Sequence, residues 1–88
     1  MLTIYSVLDN DSRLKLLYTI LDEPGITFDD VARKTKMDKA ALAYHLGVLK
    51  RVKLVEMKCE KINKKSRYWV TEKGKEILEK LRRQPLNI

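Results

Sequence analysis

The chain has 88 residues, 44% of them hydrophobic and 35% charged, with 19 basic against 12 acidic side chains for a net charge of +7. That length encloses one modest core, so a single domain over residues 1–88 is expected, and no apolar run approaches the ~20 residues needed to cross a bilayer. One cysteine, Cys59, and one histidine, His45, exclude a disulfide framework and leave no cluster at metal-ligand spacing.

The segment Met1 to Ser6 lacks the basic flank and apolar stretch of an export signal, so a cytoplasmic location away from membranes is expected. Leu2, Ile4, Tyr5, Val7 and Leu8 are nevertheless rather apolar for a free terminus. A first helix is predicted from about Asp11 to Asp22, with Leu14, Leu17, Tyr18 and Leu21 at i, i+3, i+4 and i+7 on its core face. Pro24-Gly25 ends it. Leu16 and Ile20 lie off that stripe and read as apolar surface for a second subunit.

Thr27, followed three residues later by Asp30, reads as an N-cap with an acidic first turn, placing a second helix over Phe28–Thr35 with Phe28, Val31 and Ala32 toward the core. After Lys36-Met37, Asp38 is a second cap candidate, opening a third helix from Lys39 to about Val52. Two short helices joined by so brief a turn make a helix-turn-helix, here over about 28–53. In the third helix Leu42, Leu46 and Leu49 align toward the core, flanked by His45 and Val52, while Ala40, Ala43, Tyr44, Gly47 and Arg51, with Lys39 in the first turn, occupy the other side. A face of small residues with one tyrosine and one arginine suits close approach to another molecule.

Leu54 to Glu60 alternates, Val55, Met57 and Cys59 falling on the predicted inner side, and Arg67-Tyr68-Trp69-Val70 reads as a returning strand with Tyr68 and Val70 inward. With a turn at Asn63-Lys64 this is a hairpin over about 54–70. Cys59 reads as a small buried strand residue, the alternative being an intersubunit disulfide at a symmetry axis. Thr71 caps a last helix over about 71–84, striped by Ile77, Leu78 and Leu81 and ended by Pro85. The fold class is mostly α with a small β-hairpin (α+β): a three-helix core, a hairpin and a C-terminal helix.

Charge divides the chain. Residues 1–30 carry −4, residues 31–88 carry +11, and the stretch from Arg33 to Arg67 alone carries +9. Such a run creates a face attractive to phosphate, although charge alone does not separate that reading from a solvated lysine-rich surface.

The segment Met37 to Val55, with its polar cap, variable outer face, His45-Leu46 pair, Leu49 and the closing Leu54-Val55, resembles the recognition-helix signature of ArsR-like and MarR-like winged helix-turn-helix transcriptional regulators. Arg67-Tyr-Trp-Val-Thr-Glu-Lys-Gly74 is similar to their second wing strand and the start of their final helix, and the resemblance runs over about residues 6–82. It implies a DNA-binding regulator and not an enzyme, without cofactors. The third helix then enters the major groove and the wing lies on the backbone or in the minor groove.

In that arrangement Lys39 reaches phosphate or a guanine edge, Ala40 and Ala43 meet thymine methyls, Tyr44 meets phosphate or base, Gly47 permits close approach, and Arg51 contacts the backbone. Lys61, Lys64, Lys65 and Arg67 serve as wing cations, and Thr27 with the N-terminus of its helix is a phosphate candidate. The resemblance also implies a homodimer paired through the first and last helices, assigned to Leu16, Ile20, Leu78, Leu81 and Leu86. Lys53 stands where the family usually has glycine before the wing, and the Cys-x-Cys metal-sensing motif is absent, so metal sensing is not implied. The rival readings are a winged-helix protein–protein module and an RNA binder. Catalysis has no candidate nucleophile–base pair.

Overall fold

The computed structural model describes residues 4–83. Helix α1 (Ile4–Leu8) leads to α2 (Asp11–Asp22), a two-residue strand β1 (Ile26–Thr27), α3 (Phe28–Thr35), α4 (Lys39–Arg51), the strands β2 (Val55–Cys59) and β3 (Ser66–Val70), and α5 (Glu72–Arg83). This is the expected order of helices and wing, with two additions. α1 is a short helix formed within the apolar N-terminal segment, and β1 adds a third strand to the hairpin.

Caps explain most boundaries. Asn10 accepts from the Arg13 amide at 3.1 Å to start α2, and Thr27 accepts from the Asp30 amide at 3.2 Å to start α3. Asp38 accepts from the amides of Ala40 and Ala41 at 3.1 and 3.3 Å to start α4. Thr71 accepts from the Gly74 amide at 3.0 Å and donates its hydroxyl to the Lys53 carbonyl at 2.7 Å, so one side chain both caps α5 and pins the end of α4.

The sheet is antiparallel in the order β1-β3-β2, with Ile26 opposite Tyr68 and Met57 opposite Tyr68 on the other side. Tyr68 and Val70 are buried as expected, but the inward alternation of β2 decays along the strand: Val55 is buried, Met57 half-buried and Cys59 exposed. Cys59 is therefore not the buried strand residue expected. It pairs with Ser66 at the far end of the ladder, where the hairpin has left the core behind.

The core gathers Val7 and Leu8 of α1, Leu16, Leu17 and Ile20 of α2, Val31 of α3, Leu42, Leu46 and Leu49 of α4, Leu54 and Leu78. Two corrections follow. The buried face of α2 is Arg13, Leu16, Leu17 and Ile20, one position earlier than the Leu14, Leu17, Tyr18, Leu21 stripe, of which only Leu17 is fully enclosed. Leu16, Ile20 and Leu78, expected on a subunit interface, are shut inside the chain's own core with at most 2% of their surface exposed.

Gly74 lies against the chain: a Cβ there would come within 2.6 Å of the Leu54 carbonyl oxygen. Lys53 adopts φ +65°, the left-handed conformation that makes glycine common at this turn. Among the described residues no helix is long and apolar enough to cross a membrane.

Candidate nucleic-acid interface

The hydrophobic side of α4 faces inward through Leu42, Leu46, Val48 and Leu49, which leaves a continuous outer side. Lys39, Ala40, Ala43, Tyr44, Gly47 and Arg51 all lie exposed on it, together with Ala41 and Lys50, which the sequence reading did not single out. Tyr44 is 62% exposed. Around Gly47 no atom beyond its own helix lies within 4 Å of where a Cβ would sit. Glycine in an exposed helix interior costs about 1 kcal/mol relative to alanine, and no internal packing requires it here.

The N-terminus of α4 is held in place by its neighbour helix, Lys39 pairing with Asp29 of α3 at 3.4 Å. Both groups are well exposed, so this pair orients more than it stabilises. The turn between α3 and α4 passes through Lys36 at φ +58°.

The wing places Lys61, Lys64 and Lys65 exposed at its turn, with Ile62 beside them at 91% exposure. The Glu60 amide donates to the Lys65 carbonyl at 2.8 Å, closing the loop that presents them. Arg67 differs from these lysines. Its Nη1 donates to the Gly25 carbonyl at 2.8 Å and its Nε pairs with Glu60, so its charge ties the wing to the β1 loop and is largely spent inside the chain.

Thr27, Phe28 and Asp29 at the start of α3 face Asn63, Lys64, Lys65 and Ser66 across an open cleft of about 410 Å³. Thr27 and two wing lysines, far apart in sequence, therefore share one wall-to-wall gap. The Thr27 hydroxyl is already occupied by the Asp30 amide, and Asp29 and Asp30 fill the first turn, which makes this helix end less attractive to phosphate than the sequence reading assumed. Of the interface leucines, Leu81 is on the surface at 39% exposure, and Leu86 lies outside the described residues.

One participant was missed. Arg13 of α2 is buried and reaches His45 of α4, its Nε 3.2 Å from Nδ1, and its guanidinium lies 5.9 Å from the centre of the Tyr44 ring. His45, expected on the flank of the core-facing leucines, has this side chain as its hydrogen-bond partner. The available signal was a lone basic residue at i−3 from Leu16 on an apolar helix face.

The family model described as "Winged helix-turn-helix DNA-binding" matches residues 9–55. No curated protein matches the sequence. Among solved structures the chain is similar to a MarR crystal structure, at 26% identity and TM-score 0.80, covering 89% of this chain and 58% of that one. HlyU from Vibrio cholerae matches at 25% identity and TM-score 0.78, covering 91% of this chain and 85% of that one. Streptococcus pneumoniae FabT, solved in complex with DNA, shares the fold at 18% identity and TM-score 0.72, over 83% of this chain and 51% of its own. The chain thus spans less than two thirds of the length of the MarR and FabT chains it matches.

Proposed function

The chain belongs to the winged helix-turn-helix DNA-binding family, and from that premise we propose that it is a cytoplasmic, sequence-specific double-stranded-DNA-binding transcriptional regulator that works as a homodimer. α4 enters the major groove, with Ala40, Ala43 and Tyr44 toward base edges, Lys39 and Arg51 toward phosphates, and Gly47 at the point of closest backbone approach. Lys61, Lys64 and Lys65 carry the wing onto the backbone or into the minor groove, and Thr27 stands across the cleft from them as a secondary contact.

The observation that carries this reading is the outer side of α4: exposed, small-residued, and holding at its centre a glycine that nothing inside the protein explains. A helix face kept low and open at a cost in helix stability fits a groove floor better than it fits solvent. The DNA-bound state of FabT, a protein of the same fold, supports the same use.

The test is equilibrium binding to random duplex DNA across a range of salt. Each phosphate neutralised contributes roughly −0.9 to the slope of log K against log salt, so a clearly negative slope is expected; an affinity indifferent to salt would sink the proposal. For the dimer, Leu81 on the surface of α5 supports pairing through the last helix. Sedimentation as a monomer at micromolar concentration and above would count against it.

A further inference from the structure

Arg13 is 9% exposed, and a buried guanidinium brings five donors and a charge that must be satisfied where they lie. Among the ion pairs of the described residues none supplies it a carboxylate. Its partners are of another kind. Nη1 donates to the Val7 carbonyl at 3.3 Å, near the end of α1, and Nε donates to Nδ1 of His45 at 3.2 Å. To accept there, Nδ1 must be unprotonated, so the imidazole is neutral with its proton on Nε2. Burial, then the Arg13 charge, hold the His45 pKa below its ordinary value, in keeping with that state.

The third neighbour is on the DNA-facing side. The guanidinium carbon lies 5.9 Å from the Tyr44 ring centre, and the Tyr44 ring meets His45 edge-on at 5.4 Å with 64° between the planes. Two fixed groups therefore hold one flank of a tyrosine that is otherwise mostly in solvent. A tyrosine on a face of alanines and glycine has little else to choose its rotamer, and a cation–π contact at an exposed site favours one orientation by roughly two- to fivefold. Methionine would fill the same space with less desolvation; only the fork of arginine bridges a carbonyl on α1, an imidazole on α4 and an aromatic face at once.

We propose that Arg13 is a positioning residue: braced between Val7 and His45, it fixes the Tyr44 ring in its orientation on the DNA-reading face, and so sets sequence discrimination without touching DNA. This rests on the groove-reading role proposed above for α4.

The experiment uses the full chain. Duplexes enriched from a random pool by the wild type are compared with a scrambled duplex for wild type, Arg13→Met, Tyr44→Ala and the double variant, and the Tyr44 ring resonances are followed by NMR in the free proteins. Arg13→Met is expected to shift those resonances and to lower the selected-to-scrambled affinity ratio about 2–5-fold, the size of the lost orientational bias. It should cost no further discrimination once Tyr44 is alanine. Should Arg13→Met fail to fold, Arg13→Gln keeps a buried N–H donor but removes both the cation over Tyr44 and the fork that joins Val7 to His45, and is read in the same way.

Unmoved Tyr44 resonances, an equal loss on both duplexes, or additive losses in the double variant would overturn the proposal while leaving DNA binding intact. A wild type that enriches no duplex would overturn the DNA-reading proposal and this one with it.

Discussion

Gly74 and Leu54 meet with no room between them: a Cβ on Gly74 would lie 2.6 Å from the Leu54 carbonyl oxygen, which is itself held by the Thr71 amide at 3.0 Å. The Val70 Cγ1 at 2.7 Å closes the other side. Gly74→Ala gains about 1 kcal/mol of helix propensity, yet the atom it strikes is backbone and cannot swing away. A net loss of about 1–3 kcal/mol is expected, of the size overpacking usually costs. Urea denaturation with an unchanged or raised midpoint would show that α5 can slide.

Lys53 offers the opposite case. Its φ of +65° suits glycine, and its hydrogen bonds in this turn are made by backbone, the amide to Lys50 at 3.0 Å and the carbonyl from Thr71 at 2.7 Å. Lys53→Gly keeps both bonds and relieves the left-handed strain, so a stabilisation of about 0.5–1 kcal/mol is expected in thermal unfolding. A lowered Tm would mean that the lysine side chain holds something the backbone geometry does not reveal.

The His45 imidazole sits below its ordinary pKa of 6.5 because it is desolvated and faces the Arg13 cation. The unfolded chain therefore protonates it at higher pH than the folded chain does, and stability falls as protons are added. Above about pH 6.5 both states are neutral at this group and it costs nothing. Through that value and on down to the lowered one the penalty grows, and below it the penalty is complete. His45→Gln retains a carbonyl to accept from Arg13 but does not titrate. Between about pH 7.5 and about pH 5.5 the wild-type Tm is expected to drop further than that of the variant; equal drops would remove His45 from the acid response.

How far the sequence disclosed all this depends on the range of the interaction concerned. Thr27, Asp38 and Thr71 act within three residues of themselves, so α3, α4 and the start of α5 fall where the caps predict. The outer side of α4 was legible for the same reason, since helix period alone separates Leu42, Leu46 and Leu49 from Tyr44 and Gly47. α2 was not, because Leu14, Leu17, Tyr18, Leu21 and Arg13, Leu16, Leu17, Ile20 are both i, i+3, i+4, i+7 sets. Which one turns inward is decided by α1 and α4, through Val7 and His45, and an arginine on a stripe argues against the right answer. β1 is two residues long and exists only through pairing with Tyr68 and Arg67, about 40 positions away. No local pattern announces such a strand.

Gly47 and Gly74 should respond to the same substitution with opposite signs. Nothing stands within 4 Å of a Cβ at Gly47, so Gly47→Ala is expected to raise stability by about 1 kcal/mol. If α4 lies against a groove floor, the added methyl should also weaken duplex binding. Stabilisation with undiminished affinity would place the closest approach elsewhere on the helix.

The proposed roles of reading and anchoring are separable by experiment because Tyr44 and Lys64 sit on different elements, the first on α4 and the second on the wing turn. Lys64 holds φ +54°, a strain that alanine shares, so Lys64→Ala changes charge and leaves the backbone question untouched. A cation that meets phosphate contributes equally to every duplex: its loss should weaken all sequences alike and make the salt slope shallower by about 0.9. Tyr44→Ala removes no charge, so its slope should stay where it was while the order of preferred sequences changes. Measuring both variants against several duplexes at two salt concentrations distinguishes the roles, because uniform weakening with a shallower slope cannot arise from a lost base contact. If the two substitutions alter preference and slope in the same proportion, the wing and the helix act as one contact and the division of labour between them fails.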